Sequence, residues 1–220
     1  MKINTAIFDL DGTLLNTLYD LTDSTNFMLN QFNYPIRTIE EIRMFVGNGV
    51  VKLVQRAIPN GKDNCDFDKC LATFKRHYSQ NMYNKTKPYD GIIDLLKGLK
   101  QKGYKIAVVS NKYDLAVKEL CDKFFPELVD VAIGENENAG IKKKPSPDTV
   151  NLAIESLSAK KENCVYIGDS DVDIETSDNA QIPCISVTWG FRDREFLKEH
   201  GAKYFVDFPN EIFKILEDFC

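Results

Sequence analysis

Three short segments of this chain place oxygen-bearing and donor side chains directly after runs of β-type residues. Asp9-Leu10-Asp11-Gly12-Thr13 follows Ile3–Phe8, and Ser110-Asn111-Lys112 follows Lys105–Val109. Gly168-Asp169-Ser170-Asp171-Val172-Asp173 follows Cys164–Ile167. Open α/β sheets bind ligands at the carboxyl ends of their strands, so these segments are expected to meet at one sheet edge. A carboxylate cluster in a low-dielectric crevice is costly unless a cation neutralises it. With only oxygen ligands, and no His or Cys nearby, a hard ion is favoured: Mg²⁺ before Ca²⁺ or Mn²⁺. A calcium loop is excluded. Counted from Asp169, the sixth and twelfth positions hold Ile174 and Ala180, where an EF-hand needs Gly and Glu.

The elements that would position these residues alternate between strand and helix. Besides the three strands above, Val129–Ile133 and Ile182–Val187 read as short runs covered on both faces. Between them Ile92, Leu95, Leu96 and Leu99 share one helical face, and Leu115, Leu120 and Phe124 do so less strictly. Asp114 is expected to cap the second of these helices, and Ser146 to cap a third with Pro147 at its first position. The pattern predicts an α/β fold built on a doubly wound, mainly parallel sheet.

From Leu15 to Tyr83 the periodicity is helical only. Leu18, Leu21, Met28, Leu29 and Phe32 form one stripe, and Phe67, Cys70, Leu71, Phe74 and Tyr78 another. Thr38 with Glu41 reads as a capping box opening a helix through Phe45, and Gly47-Asn48-Gly49 as a joint before Val50–Ile58. Residues 15–85 are therefore expected to form an inserted α-helical lid domain, with residues 1–14 and 86–220 as the α/β core.

DLDGT at 9–13, Ser110, Lys144 followed by Pro145, and GDSDVD at 168–173 occur in the order of the four motifs of the haloacid dehalogenase-like superfamily. The chain resembles that superfamily over nearly its whole length, and the helical insertion is similar to its cap. Singly, the pieces are weak: Lys144 alone reads as part of the solvated run Lys142–Lys144, and Ser110 alone as a cap or turn residue. Their joint order carries the resemblance. GDSxxD, together with TWGFRD at 188–193, looks most like the phosphoglycolate phosphatase branch. Taken alone, Trp189 and Phe191 read as packing aromatics.

The resemblance implies a role for each residue. Asp9 would be the nucleophile that forms an aspartyl-phosphate, and Asp11 the general acid and base. Thr13, Ser110 and the backbone around Gly12 and Asn111 would bind the phosphate. Lys144 would neutralise charge on the transferring group. Mg²⁺ would be held by Asp9, Asp169 and the backbone carbonyl of Asp11, with Asp173 completing or buttressing the shell. Asp171 is given no role. Ala180-Gln181 departs from the Ala-Gly common in the family, which bears on a turn more than on chemistry.

The implied activity is Mg²⁺-dependent hydrolysis of a small phosphomonoester, phosphoglycolate first. An acid at position 11 fits phosphoester chemistry and argues against dehalogenation, and Gly168-Asp169-Ser170 lacks the Glu-Asp pair typical of the mutase branch. The alternatives are a phosphomutase similar to β-phosphoglucomutase, a generalist phosphatase acting on sugar phosphates, nucleotides or pyrophosphate, and a phospho-accepting signalling domain. Arg43, Asn48, Lys52 and Arg56, flanking the glycine joint, are the cap residues expected to bear on specificity. A net charge of −5 argues against bulk electrostatic binding of nucleic acid, and no apolar run approaches the length needed to cross a membrane. Six cysteines without a CxxC pair read as reduced thiols. A cytoplasmic monomer or weak homodimer is expected, with a small phosphorylated substrate as its partner.

Overall fold

The computed structural model describes residues 2–136 and 140–219. Among them are eight strands: β1 (Thr5–Phe8), β2 (Leu15–Asn16), β3 (Lys87–Pro88), β4 (Lys105–Tyr113), β5 (Val131–Glu135), β6 (Cys164–Gly168), β7 (Cys184–Val187) and β8 (Tyr204–Val206). The α-helices are α1 (Leu18–Gln31), α2 (Ile39–Phe45), α3 (Val50–Ala57), α4 (Phe67–Asn81), α5 (Ile92–Gln101), α6 (Asp114–Phe124), α7 (Asp148–Ser156), α8 (Asp171–Ala180), α9 (Arg194–Glu199) and α10 (Ile212–Asp218). The chain divides into two compact units, Met1–Leu15 with Pro88–Cys220, and Asn16–Lys87.

The first unit is a six-stranded parallel sheet in the order β5-β4-β1-β6-β7-β8. Every residue of β1 is buried, and Ile7 lies in register with Ala107 on one side and Tyr166 on the other. From β1 the chain builds outward through β4 and β5, then returns to add β6, β7 and β8 on the opposite side. That reversal makes the carboxyl ends of β1 and β6 a topological switch point, the place where such sheets bind ligands. One face of the sheet is closed by apolar packing of Val109, Ile133 and Cys164 against Val150 and Ala153 of α7. The fold is an α/β core of doubly wound type with an inserted helical cap, as the alternation of elements predicts.

Several local expectations shift. The strand after Lys105 continues to Tyr113, and its register against β5 breaks between Val109 and Tyr113. A side chain at Gly134 would lie 2.4 Å from the Asp114 Cα and 2.5 Å from the Lys112 carbonyl oxygen, so only glycine lets the irregular strand pass so close. Asp114 is not a cap. Its carboxylate accepts from the Gly134 N–H (2.9 Å), binding α6 to β5. The buried stripe of α6 is Val117, Leu120 and Cys121, while Leu115 is 57% exposed. Ser146 does not cap α7 either. Pro147 holds that position, and the Ser146 hydroxyl donates to the Asp148 carboxylate (2.6 Å). Gln181 ends α8 at φ +56°, in the left-handed region where glycine is the usual residue.

The second unit is helical. Its capping box forms as expected: Thr38 Oγ1 accepts from the Glu41 N–H (3.2 Å), and the Glu41 carboxylate accepts from the Thr38 N–H (2.8 Å). Leu21, Met28 and Leu29 of α1 are buried, as are Cys70, Phe74 and Tyr78 of α4. Asp20, also buried, accepts from the backbone of Lys85 (3.0 Å) and from the backbone and hydroxyl of Thr86 (2.8 Å each), tying the end of the insertion to its first helix. Arg56 is occupied locally, donating to the Phe45 carbonyl (2.7 Å) and to Asn48 Oδ1 (2.9 Å) across the glycine joint. Arg43 and Lys52 are exposed. No helix among the described residues is long and apolar enough to cross a membrane.

Candidate active site

Asp9 follows β1 and Asp169 follows β6, while Asp173 lies one turn into α8. Carboxylate oxygens of all three fall within 4.8 Å of one another, and all three residues are buried. Missing side chains make the room. A Cβ on Gly12 (φ +90°) would lie 2.3 Å from an Asp169 oxygen, and one on Gly190 would lie 2.3 Å from the Asp169 Cβ. On Gly168 it would lie 2.4 Å from the Asp173 Cβ and Cγ.

Each carboxylate is held differently. Asp169 accepts from the Thr13 hydroxyl at Oδ1 (2.9 Å) and from the Phe191 N–H at Oδ2 (2.7 Å), keeping a lone pair free on each oxygen. Asp173 is saturated. Its Oδ2 accepts from the Asp169 N–H (3.2 Å), the Ser170 N–H (3.1 Å) and the Ser170 hydroxyl (2.6 Å). Its Oδ1 accepts from Lys144 (2.8 Å) and the Tyr166 hydroxyl (2.9 Å). Asp9 uses only Oδ1, which accepts from the Leu10 N–H (2.6 Å) and from Lys144 (2.9 Å). No group among the described residues hydrogen-bonds its Oδ2.

Lys144 is buried, and its ammonium faces Asp9, Asp173 and the Tyr166 oxygen (3.0 Å). The Asn111 side chain fixes its backbone by a two-way clasp: Oδ1 accepts from the Lys144 N–H (2.7 Å), and Nδ2 donates to the Lys144 carbonyl (3.0 Å). Burial works against the lysine's charge, but Asp173 and Asp9 outweigh it and hold the ammonium above the ordinary lysine range. Burial, reinforced by the Asp173 charge, pushes Asp9 well above the usual carboxylate range and Asp169 up to about 7. Buried carboxylates this close resist full ionisation together. A divalent cation among them would relieve both the burial and the mutual repulsion. The donor set fits a hard ion, with coordinating capacity left on Asp9 and Asp169.

Asp11, two residues beyond Asp9, is ion-paired with Lys112 (2.9 Å), a lysine supplied by the irregular end of β4. Ser110 is buried, and its oxygen accepts from the Lys112 N–H (3.2 Å). The Thr13 hydroxyl, expected to serve the phosphate, is given to Asp169 because the Gly12 turn brings it there. The Asn111 side chain is given to Lys144, while the expectation for that residue concerned its backbone. Trp189 donates its indole N–H to the Thr13 carbonyl (2.9 Å), so the segment after β7 is a wall of the site as well as packing. Asp171 lies 3.9 Å from Arg192. Sequence reading missed Tyr166, the Phe191 amide and the Lys112 pairing. Only the spacing of Asp11 and Lys112 from two neighbouring strand ends hinted at the last.

The family model for haloacid dehalogenase-like hydrolases matches residues 6–187, and the chain belongs to that family. Within it the chain is a phosphatase, a phosphoric monoester hydrolase. It is similar to the phosphoglycolate phosphatase of Mesorhizobium japonicum, 31% identical over 191 residues that cover 86% of this chain and 84% of that one. It is also similar to pyrophosphatase PpaX of Listeria monocytogenes, 30% identical across 99% of this chain and 98% of that protein. A crystal structure from Lactobacillus delbrueckii subsp. bulgaricus, provisionally named a phosphoglycolate phosphatase, matches with a TM-score of 0.93 at 39% identity. That match covers 98% of this chain and 99% of the other.

Proposed function

We propose that this phosphatase hydrolyses phosphoglycolate with the help of Mg²⁺, in the cytoplasm, through an aspartyl-phosphate on Asp9. The observation that carries the reading is Asp9 itself: one oxygen is fixed by Lys144 and the Leu10 amide, and the other receives no hydrogen bond from the described residues. With the ester bound, Asp11 enters the reaction protonated; Asp9 Oδ2 bonds to phosphorus as the ester P–O bond breaks, and Asp11 gives its proton to the leaving alkoxide. Asp11 then takes a proton from water as the water oxygen bonds to phosphorus. The bond to Asp9 breaks, and both carboxyl groups return to their starting state. Lys144 balances the charge of the transferring group, and Ser110 with the backbone at Asn111 binds its oxygens. Asp9, Asp169 and the Asp11 carbonyl would hold Mg²⁺, with Asp173 as a buttress. Bound there, the cation supplies the charge neutralisation that lets a carboxylate approach a phosphate. The inserted helices, residues 15–85, act as the cap that selects a small anionic ester.

Phosphate release from a panel including phosphoglycolate, sugar phosphates, nucleotides and pyrophosphate tests the reading in wild type and Asp9→Asn. One small acidic ester should dominate, EDTA should abolish turnover, and the variant should be folded and inactive. Comparable rates on all esters would replace phosphoglycolate by a generalist activity. Preference for pyrophosphate would place the chain with its Listeria relative. A phosphorylated Asp9 that persists for minutes would favour a switch.

A further inference from the structure

We propose that Tyr166 is a positioning residue for Lys144, a role that rests on the reading of Lys144 as the cation serving the transferring phosphoryl group. Residues two apart on a strand share a face, so Tyr166 and Gly168 of β6 point the same way. The missing Gly168 side chain lets Asp173 lie over the strand (Gly168 Cβ would be 2.4 Å from it), directly within reach of the Tyr166 hydroxyl. The Tyr166 ring belongs to the apolar core beneath the site, and only its oxygen reaches the charges.

The hydroxyl works in both directions. It donates its hydrogen to Asp173 Oδ1 (2.9 Å) and accepts one from Lys144 Nζ (3.0 Å). The ammonium has three hydrogens, and the structure provides three acceptors: Asp9 (2.9 Å), Asp173 (2.8 Å) and Tyr166. Two carboxylates on their own would leave one hydrogen of a buried ammonium without a partner, and the group would be free to turn. The tyrosine oxygen removes that freedom. Lys144 is thereby held against Asp9 Oδ1, the oxygen opposite the one left open for attack. Asp173 retains four other donors without Tyr166, so the hydroxyl serves the lysine more than the carboxylate.

Tyr166→Phe deletes the one oxygen and keeps the ring. The expected result is a kcat at least tenfold lower, with KM and the Mn²⁺ dissociation constant (followed by electron paramagnetic resonance) within twofold of wild type. Independently of turnover, the ¹⁵N-labelled Lys144 ammonium, assigned with Lys144→Arg, should give a resonance protected from solvent exchange in wild type and lose it in Tyr166→Phe. A kcat within twofold of wild type would overturn the role, whatever the change in melting temperature. So would a resonance that persists, or a loss of kcat matched by equal losses in KM and metal affinity, which would mean a general loosening of the site. If wild type hydrolyses no ester while the ammonium signal behaves as described, the phosphatase reading fails and the holding of Lys144 stands.

Discussion

Replacing Lys144 by methionine tests the electrostatics of the cluster without opening a large hole. The ammonium lies 2.9 Å from Asp9 and 2.8 Å from Asp173. At an effective dielectric of about 20, each contact is worth about 6 kcal/mol before desolvation. Burying the charge offsets much of that, and breaking a buried ion pair by removing one partner typically costs about 3–5 kcal/mol. The loss depends on pH. Asp9 and Asp169 already have raised folded-state values, Asp169 near 7. Such a carboxyl holds its proton in the folded state while the unfolded chain is ionised. For Asp169 that stabilising contribution is therefore full below about pH 4 and is lost as pH rises through about 7. Without Lys144 the carboxyls hold protons to still higher pH, so that decline extends further. Urea unfolding in EDTA should show a deficit of about 3–5 kcal/mol at pH 8 that shrinks markedly at pH 5. A deficit below about 1 kcal/mol, or one equal at both pH values, would refute the account of Lys144 as the compensating charge.

Three further outcomes are expected. Gly190→Ala drives a methyl into the Asp169 side chain, 2.3 Å from its Cβ, and metal binding measured by calorimetry should weaken at least tenfold while the fold survives. Gln181→Gly relieves a left-handed backbone position (φ +56°) and should raise unfolding stability by about 1 kcal/mol in urea titrations. Asp20→Asn cannot accept the same set of donors from Lys85 and Thr86. It should cost about 1.5–3 kcal/mol, with faster hydrogen exchange at those amides.

The sheet and the carboxylate cluster were legible because their signals are local. A short apolar run followed by Asp or Gly-Asp places a carboxylate at a strand end, and β1 and β6 do this for Asp9 and Asp169. The capping box at Thr38 and Glu41 is likewise a four-residue signal. What stayed hidden depends on residues distant in sequence. Nothing near Asn111 announces that its side chain clasps Lys144, 33 positions on, and Thr13 looks like a phosphate-side residue until Asp169 arrives 156 positions later. Tyr166 reads only as a strand residue, since nothing local says that its hydroxyl ends beside two charges. Asp114 and Ser146 fit the residue preferences of helix caps, yet each found another partner. Tyr204–Val206 is too short and too flanked by polar residues to stand out as β8.

The saturation of Asp173 has a consequence for the size of ion that the cluster would accept. A carboxylate fixed by five donors cannot swing in to add a ligand, so the protein offers a short, rigid set of oxygens. A small ion that keeps several of its own waters is content with such a set. Calcium asks for six to eight oxygens at longer range, which requires side chains free to move toward it. Discrimination between the two ions would thus be set partly by the Ser170 hydroxyl and two backbone amides that hold Asp173 in place. Loosening their hold on Asp173 is a route to a site that tolerates larger cations.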